Sequence, residues 1–404
     1  MLRGREDGQA VTPWRFGDGG GWRALSRRGA SVGMRLGAAA ARFALTLLIT
    51  AYLGVHAAGE FALFLTSATL LGQLIGLDFF TYAMREIASR DEPDAVRRVV
   101  AAARHVFTRS YIAGGVLALV PFLAGFIDWV YLPAFLAIAL LEQLSQEVYR
   151  GLVALRRPVA ANACYFVRGA LWIVPLAVLL AVHPGSRSLH VVYVAWLLGV
   201  TASIALAAGQ LRRMVPRIFA AVRPAPGVVA EGVRVAMPYF VASVLLNVVE
   251  YSDRYFIGAM LGNAEVGAYW LFRGVTNLVP LAAFFAVYEF GFPDLASRYL
   301  QGRAGDFSRT AKTFVLHGLL VTAGCAVIAS LAGPVMVALL GQPILARNLD
   351  TFYLLIAVAV LASAANALTF VANAVREDRA VLVATAAACA VTLVGNAALI
   401  SPLG

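Results

Sequence analysis

Apolar residues in this chain fall into separate blocks of about twenty residues, the length needed to cross a hydrocarbon core of about 30 Å. Charges, prolines and glycines bound the blocks. The pattern predicts eleven membrane-spanning helices, near 33–54, 61–83, 110–128, 131–150, 159–182, 189–209, 235–258, 266–290, 313–333, 349–374 and 380–400. It therefore indicates an all-α polytopic membrane protein.

Composition strengthens this interpretation and narrows the classes of partner. The 404 residues are 61% hydrophobic and 14% charged, whereas a soluble domain is about half apolar and about a quarter charged. The net charge of +11 therefore points to membrane lipids rather than nucleic acid. Cys164, Cys325 and Cys389 lie inside apolar blocks without metal-ligand spacing, so we expect no cofactor and no metal site.

The arginines predict how the chain is oriented. Of the 33 basic residues, 26 lie in the N-terminal segment and in alternate connections, whereas the intervening connections carry only Arg187 and Arg347. Short connections rich in Lys and Arg stay in the cytoplasm. We therefore expect the N-terminus on the cytoplasmic side of the membrane, with residues 1–32 as a disordered basic tail.

An internal repeat appears at an offset of 208 residues. The segment 53–64 aligns with 261–272, and without a gap 85–90 aligns with 293–298. Both copies run the same way through the membrane, which predicts two parallel lobes, a transporter architecture. The predicted division is an N-terminal lobe at 33–210, a cytoplasmic linker at 211–234 and a C-terminal lobe at 235–404. The second lobe has five predicted spans, so the twelfth span that the repeat implies is missing.

Five arginines lie inside apolar blocks, where a cation costs at least about 2.5–3.5 kcal/mol. They are Arg35, Arg42, Arg168, Arg254 and Arg273. Arg35 is close enough to a span end to reach the membrane surface, whereas Arg42 is about 15 Å from the inner boundary at 1.5 Å per residue, which favours a functional role. Arg168 has no acid within one turn.

The other two arginines have local neighbours. Glu250 lies four residues before Arg254 and Asp253 is adjacent, so a structural ion pair is the simpler interpretation. Asn277 lies one turn after Arg273 on the same span. The residue equivalent to Arg273 in the first repeat is Leu65. A charge present in one lobe only favours a substrate role.

Two polar stripes lie on predicted spans. Glu142 and Gln146 share a helix face with Glu147 beside it, and Asn366 heads an uncharged stripe on span ten. The stripe on span four fits a structural pair of Glu147 with an arginine, a proton or sodium site, or hydrogen bonds to sugar hydroxyls. The stripe on span ten fits either a cavity wall or contacts between helices.

Several motifs resemble a known family. The pattern Leu-Gly-x4-Gly-x-Phe-Ala-Leu at 53–63, Asp78, the sequence Arg-Glu-Ile-Ala at 85–88, and Tyr-Ser-Asp-Arg-Tyr at 251–255 are similar to the polysaccharide-transporter (Wzx-type) branch of the multidrug/oligosaccharidyl-lipid/polysaccharide flippase superfamily. The resemblance implies alternating-access transport of an oligosaccharide on polyprenyl pyrophosphate across a bacterial cytoplasmic (inner) membrane, with a polysaccharide polymerase as a partner protein. Arginine suits this anionic head group because its planar fork matches phosphate oxygens.

Three alternatives remain open at this stage. A peptidoglycan-precursor flippase carries the same pyrophosphate, and a multidrug exporter of the superfamily would have the same fold. From another class, a membrane glycosyltransferase or polymerase would resemble its relatives in having long outer loops with acidic catalytic motifs. The predicted outer loops are short and carry no catalytic signature, so we expect a transporter and not an enzyme.

Overall fold

A computed structural model describes residues 21–89, 93–215, 218, 226–302, 304–375 and 377–403. Within these ranges the chain is helical and contains no β-strand. The predicted tail lies outside the described residues over positions 1–20.

Nine α-helices of the described chain lie in the part that the sequence predicts as the first lobe. They are α1 (Gly21–Leu53), α2 (Val55–Gly76), α3 (Phe80–Ala88), α4 (Pro93–Leu117), α5 (Val120–Leu123), α6 (Leu132–Ala154), α7 (Pro158–Phe166), α8 (Ile173–Val182) and α9 (Leu189–Met214). A π-helical segment, Val167–Leu171, joins α7 to α8. Such segments inside helices often occur at functional sites.

Eight α-helices form the second lobe within the described residues. They are α10 (Pro226–Met260), α11 (Asn263–Thr276), α12 (Leu278–Ala283), α13 (Glu289–Leu300), α14 (Ala304–Leu340), α15 (Pro343–Arg347), α16 (Leu349–Ala374) and α17 (Asp378–Leu403). A second π-helical segment, Phe284–Tyr288, lies between α12 and α13.

Ten helical segments of the described chain are long and apolar enough to cross a membrane. The remaining predicted span, 131–150, forms α6, whose Glu142, Gln143, Gln146 and Glu147 lower its hydropathy. Each of the eleven predicted blocks therefore overlaps a helical segment, although the helix in the block 110–128 ends at Leu123. The chain is a multi-pass membrane protein.

Helix ends extend beyond the predicted blocks. Helix α1 begins at Gly21 rather than near 33, so positions 21–32 are helical. Helix α9 continues to Met214 and α10 begins at Pro226, which shortens the predicted linker. Arginine and alanine are good helix formers, so a charged residue ends an apolar block without ending the helix.

Repeat-related glycines have the same backbone geometry in both lobes. Gly54 precedes α2 with φ 90° and ψ 168°, and Gly262 precedes α11 with φ 93° and ψ 173°. Both values lie in a region that only glycine adopts readily. The backbone at these two positions therefore agrees with the repeat predicted from the sequence.

The same repeat brings α2 and α11 together. A Cβ on Gly59 would collide with the carbonyl oxygen of Asn263, and a Cβ on its repeat equivalent Gly267 would collide with that of Val55. The lobes thus touch backbone to backbone at the end of the bundle where Gly54 and Gly262 lie. We call this the glycine end, and the opposite end, which carries α3 and α13, the basic end.

Candidate functional site

A polar cavity of about 510 Å³ lies between the two lobes. Helices α1, α2, α6 and α9 and the π-helical segment form one side, and α10, α11 and α12 form the other. Along α2 it extends from Phe61 to Gln73, which corresponds to about 18 Å at 1.5 Å per residue. The cavity therefore reaches through much of the membrane-embedded part of the bundle.

The structure brings seven of the twelve sequence-predicted residues to this cavity. They are Arg42, Glu142, Gln146, Arg168, Glu250, Arg254 and Asn277. The other five, Arg35, Glu147, Asp253, Arg273 and Asn366, are not among the lining residues. Residues from spans one, four, five, seven and eight thus converge on one space between the lobes.

An ion pair supports the first-lobe wall. Arg168 lies in the π-helical segment, and its Nη1 is 3.4 Å from Oε2 of Glu142 on α6. The other oxygen of Glu142 accepts a 2.6 Å hydrogen bond from the indole N–H of Trp196. Sequence reasoning missed this pair, although an unpaired carboxylate in a neighbouring span was a signal for it.

Arg42 has a different environment. The structure gives its guanidinium no carboxylate partner among the described residues, and its nearest aromatic contact places it 5.1 Å from the centroid of Tyr165. Gly169 faces it, because a Cβ there would lie 3.6 Å from two guanidinium nitrogens. Arg42 therefore presents an uncompensated cation at the cavity wall.

The second-lobe wall corrects one expectation. Arg254 does not pair with Glu250; its Nη1 donates a 2.6 Å hydrogen bond to Thr66 on α2. Glu250 instead lies 3.4 Å from Nη2 of Arg273 on α11. Spacing along one helix favoured the local pair, but α2 and α11 offer partners that the spacing does not show.

Of the five predicted residues outside the cavity wall, four make other polar contacts and one is exposed. Arg35 pairs with Glu289 at 3.3 Å, and Glu147 pairs with Arg150 at 2.8 Å. Asp253 accepts a hydrogen bond from Tyr269. Arg273 is the partner of Glu250, as above, and Asn366 is exposed on α16.

Aromatic rings close the cavity toward the glycine end. The ring of Phe61 lies 5.8 Å from that of Trp196 and 5.5 Å from that of Trp270, between centroids. All three are buried and line the cavity. Sequence analysis did not single them out, since aromatic residues in membrane spans are common.

Charge at the cavity wall is unbalanced. The lining contains four arginines and two glutamates: Arg42, Arg150, Arg168, Arg254, Glu142 and Glu250. Within the described residues, Nη1 of Arg168 and Nε of Arg254 are buried without a hydrogen-bond partner. Buried donors normally have partners, so the cavity is suited to an anion with several acceptor oxygens.

Comparison with solved structures identifies the fold. A structure described as the crystal structure of MATE in the bent conformation is similar over 95% of this chain and 96% of that chain, with a TM-score of 0.50 and 13% sequence identity. This chain has the MATE transporter fold. No protein-family model and no curated protein sequence matches the chain.

This similarity shows the fold alone. At 13% identity it carries no information about substrate. The polysaccharide branch and the lipid-linked substrate therefore stay predictions, and the residues of the cavity must carry any argument about them.

Proposed function

We propose that this protein is a flippase that moves an oligosaccharide linked to polyprenyl pyrophosphate across a bacterial cytoplasmic membrane. Transport would proceed by alternating access of the inter-lobe cavity, with the basic end in the cytoplasm. The flipped product would serve cell-surface polysaccharide synthesis, with a polysaccharide polymerase as the downstream partner.

The observation that carries the proposal is the excess of arginine at the wall of the inter-lobe cavity. A pyrophosphate diester bears a negative charge on each phosphate, and arginine binds phosphate oxygens through paired N–H donors. Arg42 has no carboxylate partner in the described chain, Nε of Arg254 is buried without a hydrogen-bond partner, and Nη1 of Arg168 makes no hydrogen bond although it lies 3.4 Å from Glu142. These three residues are the candidate pyrophosphate ligands, and Gln146 and Asn277 are candidate partners for sugar hydroxyls.

The same charge distribution weighs against a multidrug exporter of organic cations, because such a substrate requires acidic groups without neutralising partners. Glu142 is paired with Arg168, and Glu250 with Arg273. A peptidoglycan-precursor flippase transports a lipid with the same pyrophosphate group, and that substrate differs from the proposed one only in its glycan. The two are distinguished by the substrate that is transported.

Leaflet exchange in proteoliposomes tests the proposal. The purified protein is reconstituted with a fluorescent polyprenyl-pyrophosphate oligosaccharide, and exchange is scored by quenching from outside. We expect exchange well above empty liposomes and a loss of at least tenfold in Arg42→Ala. Arg42→Lys should be intermediate, because it keeps the charge but not the fork.

A matched control comes from Arg213, an exposed arginine at the end of α9 outside the cavity. Arg213→Ala should transport at the wild-type rate. No exchange by the wild-type protein, or equal rates in Arg42→Ala and wild type, would reject the proposed function. Exchange of the peptidoglycan precursor in place of the oligosaccharide would select the alternative flippase.

A further inference from the structure

A polar groove opens at the basic end of the second lobe. It encloses about 520 Å³ between α14 on one side and α13 with the second π-helical segment on the other. The two sides touch where Gly291 meets Phe314, since a Cβ on Gly291 would lie 2.8 Å from the Phe314 ring. Among the described residues, none lines both this groove and the inter-lobe cavity. We call this separate space the basic-end groove.

The basic-end groove is lined by as many aspartates as arginines. Its ionisable residues are Asp294, Arg298, Asp306, Arg309 and His317. Arg298 and Asp294 neutralise each other through a 3.0 Å ion pair. The side chains of Asp306 and Arg309 make no hydrogen bond or ion pair with any residue that the structure describes. One anion and one cation of the lining therefore lack a protein partner.

These two charges lie on one face of α14. Asp306 and Arg309 are three residues apart, and side chains at that spacing are neighbours on a helix, with about 5–6 Å between Cβ atoms. Thr310 and Thr313 also line the groove, and their hydroxyl oxygens can accept hydrogen bonds. The groove thus offers a cation and an anion side by side, with hydroxyl groups next to them.

The groove crosses the edge of the membrane-embedded part of α14. The span predicted from the sequence begins near 313, so Arg309 lies about 6 Å before it and His317 about 6 Å inside it, at 1.5 Å per residue. Phospholipid head groups lie in this layer, next to the hydrocarbon core. Leu320, one turn beyond His317, is 60% exposed, so an apolar helix surface continues from the groove towards the membrane interior.

We propose that the basic-end groove binds a zwitterionic phospholipid whose head group carries a phosphate and a primary ammonium. Arg309 holds the phosphate through its paired N–H donors, and Asp306 accepts hydrogen bonds from the ammonium. The acyl chains lie along the exposed apolar surface of α14 that includes Leu320. This assignment does not depend on what the inter-lobe cavity transports.

Charge complementarity selects this head group over other common ones. Phosphatidylglycerol has no cation for Asp306, so that carboxylate would lie next to the lipid phosphate and repel it. A choline head group has the right net charge, but its quaternary ammonium has no N–H to donate to Asp306. A phosphoethanolamine head group satisfies both side chains, because a short ethyl link joins its two charges as one helical turn joins Asp306 and Arg309.

Lipid binding by the full-length protein tests the assignment. The delipidated protein in detergent is titrated with phosphatidylethanolamine, phosphatidylglycerol or phosphatidylcholine of identical acyl chains, and bound lipid is measured by native mass spectrometry. We expect phosphatidylethanolamine to bind more tightly than either other lipid, by about fivefold or more. Soluble phosphoethanolamine should not displace it at equal concentration, because it lacks the acyl chains.

Substitutions inside and outside the groove locate the site. Arg309→Gln should weaken phosphatidylethanolamine binding about fivefold, whereas Lys312→Gln should not, since Lys312 is an exposed cation of α14 outside the groove lining. Asp306→Asn removes the partner of the ammonium and leaves the arginine in excess. The preference of that variant should therefore shift from phosphatidylethanolamine to phosphatidylglycerol, whereas a disturbed fold would weaken the binding of all three lipids alike.

Several results would overturn the assignment. Equal binding of the three lipids by the wild-type protein would show an ordinary lipid contact, and tighter binding of phosphatidylglycerol would show an anionic-lipid site. Equal losses in Arg309→Gln and Lys312→Gln, or an unchanged preference in Asp306→Asn, would place the lipid elsewhere. Displacement by soluble phosphoethanolamine at equal concentration would show a site for a soluble ligand. Each of these results leaves the proposed flippase function standing, because leaflet exchange of the lipid-linked substrate tests that function separately.

Discussion

Charged residues in and around the cavity differ in whether the protein itself neutralises them. Arg168 and Glu142 are 7% and 22% exposed at their side chains and compensate one another, whereas Arg42 has no carboxylate partner among the described residues. Breaking one partner of a buried pair leaves a lone charge and costs about 3–5 kcal/mol. Arg42 and Arg168 should therefore respond differently to mutation, although both are arginines at one cavity wall.

Glu142→Gln is expected to lower the thermal unfolding temperature of the detergent-solubilised protein strongly. It strands the cation of Arg168 and replaces the charged acceptor of the Trp196 N–H with a neutral one. Adding Arg168→Gln should recover part of the loss, since no lone charge then remains. Arg42→Ala should change the unfolding temperature little. Equal losses in Glu142→Gln and Arg42→Ala would contradict this division.

At the scale of elements, the crossing of α2 and α11 depends on Gly59 and Gly267, which are equivalent positions of the two repeats. Sequence comparison already aligned Gly54 with Gly262 and Gly59 with Gly267, because glycine positions at helix starts and close contacts tolerate little else. The π-helical segments were not predicted, since one extra residue per turn leaves no clear mark in the pattern. Arg168 owes its place at the cavity wall to such a segment.

Alanine at either close-contact glycine should separate α2 from α11. Gly59→Ala and Gly267→Ala each place a methyl group against a backbone carbonyl that cannot rotate away, so we expect losses of about 1–3 kcal/mol or more. Gly209→Ala is the matched control, because nothing lies within 4 Å of a Cβ there, and alanine favours the helix by up to about 1 kcal/mol. Thermal unfolding of the three variants measures the difference. A loss in Gly209→Ala as large as in Gly267→Ala would show that the crossing is not the cause.

At the scale of the whole molecule, the sequence predicted the spans and the two-lobe repeat, and it named seven residues of the cavity wall. It did not predict the pairs Arg168 with Glu142 and Arg273 with Glu250, because each joins two consecutive spans and spacing within one helix does not show such a pair. That spacing suggested Arg254 with Glu250 instead. Periodicity reports which face a residue occupies, whereas its partner depends on how neighbouring helices pack.

The two ends of the molecule hold the lobes together in different ways. The glycine end has backbone contact between α2 and α11, whereas side chains bridge the basic end. There Arg85 on α3 donates a 2.9 Å hydrogen bond to Tyr239 on α10, and Arg35 on α1 pairs with Glu289 on α13. Side-chain bridges are replaced by water more readily than packed backbone, so the basic end should separate first.

Removing both bridges should therefore shift the protein toward a cavity open at the basic end. Two bonds worth about 0.5–1.5 kcal/mol each correspond to a change of roughly 5- to 150-fold in the equilibrium. Thr69 lines the cavity and is exposed, so Thr69→Cys in a background without the native cysteines reports access to a charged thiol reagent. Tyr239→Phe/Glu289→Gln should speed labelling from the basic-end face several-fold, whereas Arg213→Gln, a charge change at the same end, should not. Faster labelling from the glycine-end face alone would mean that these bridges oppose a different movement. An unchanged labelling rate from both faces would mean that the bridges do not hold the lobes closed.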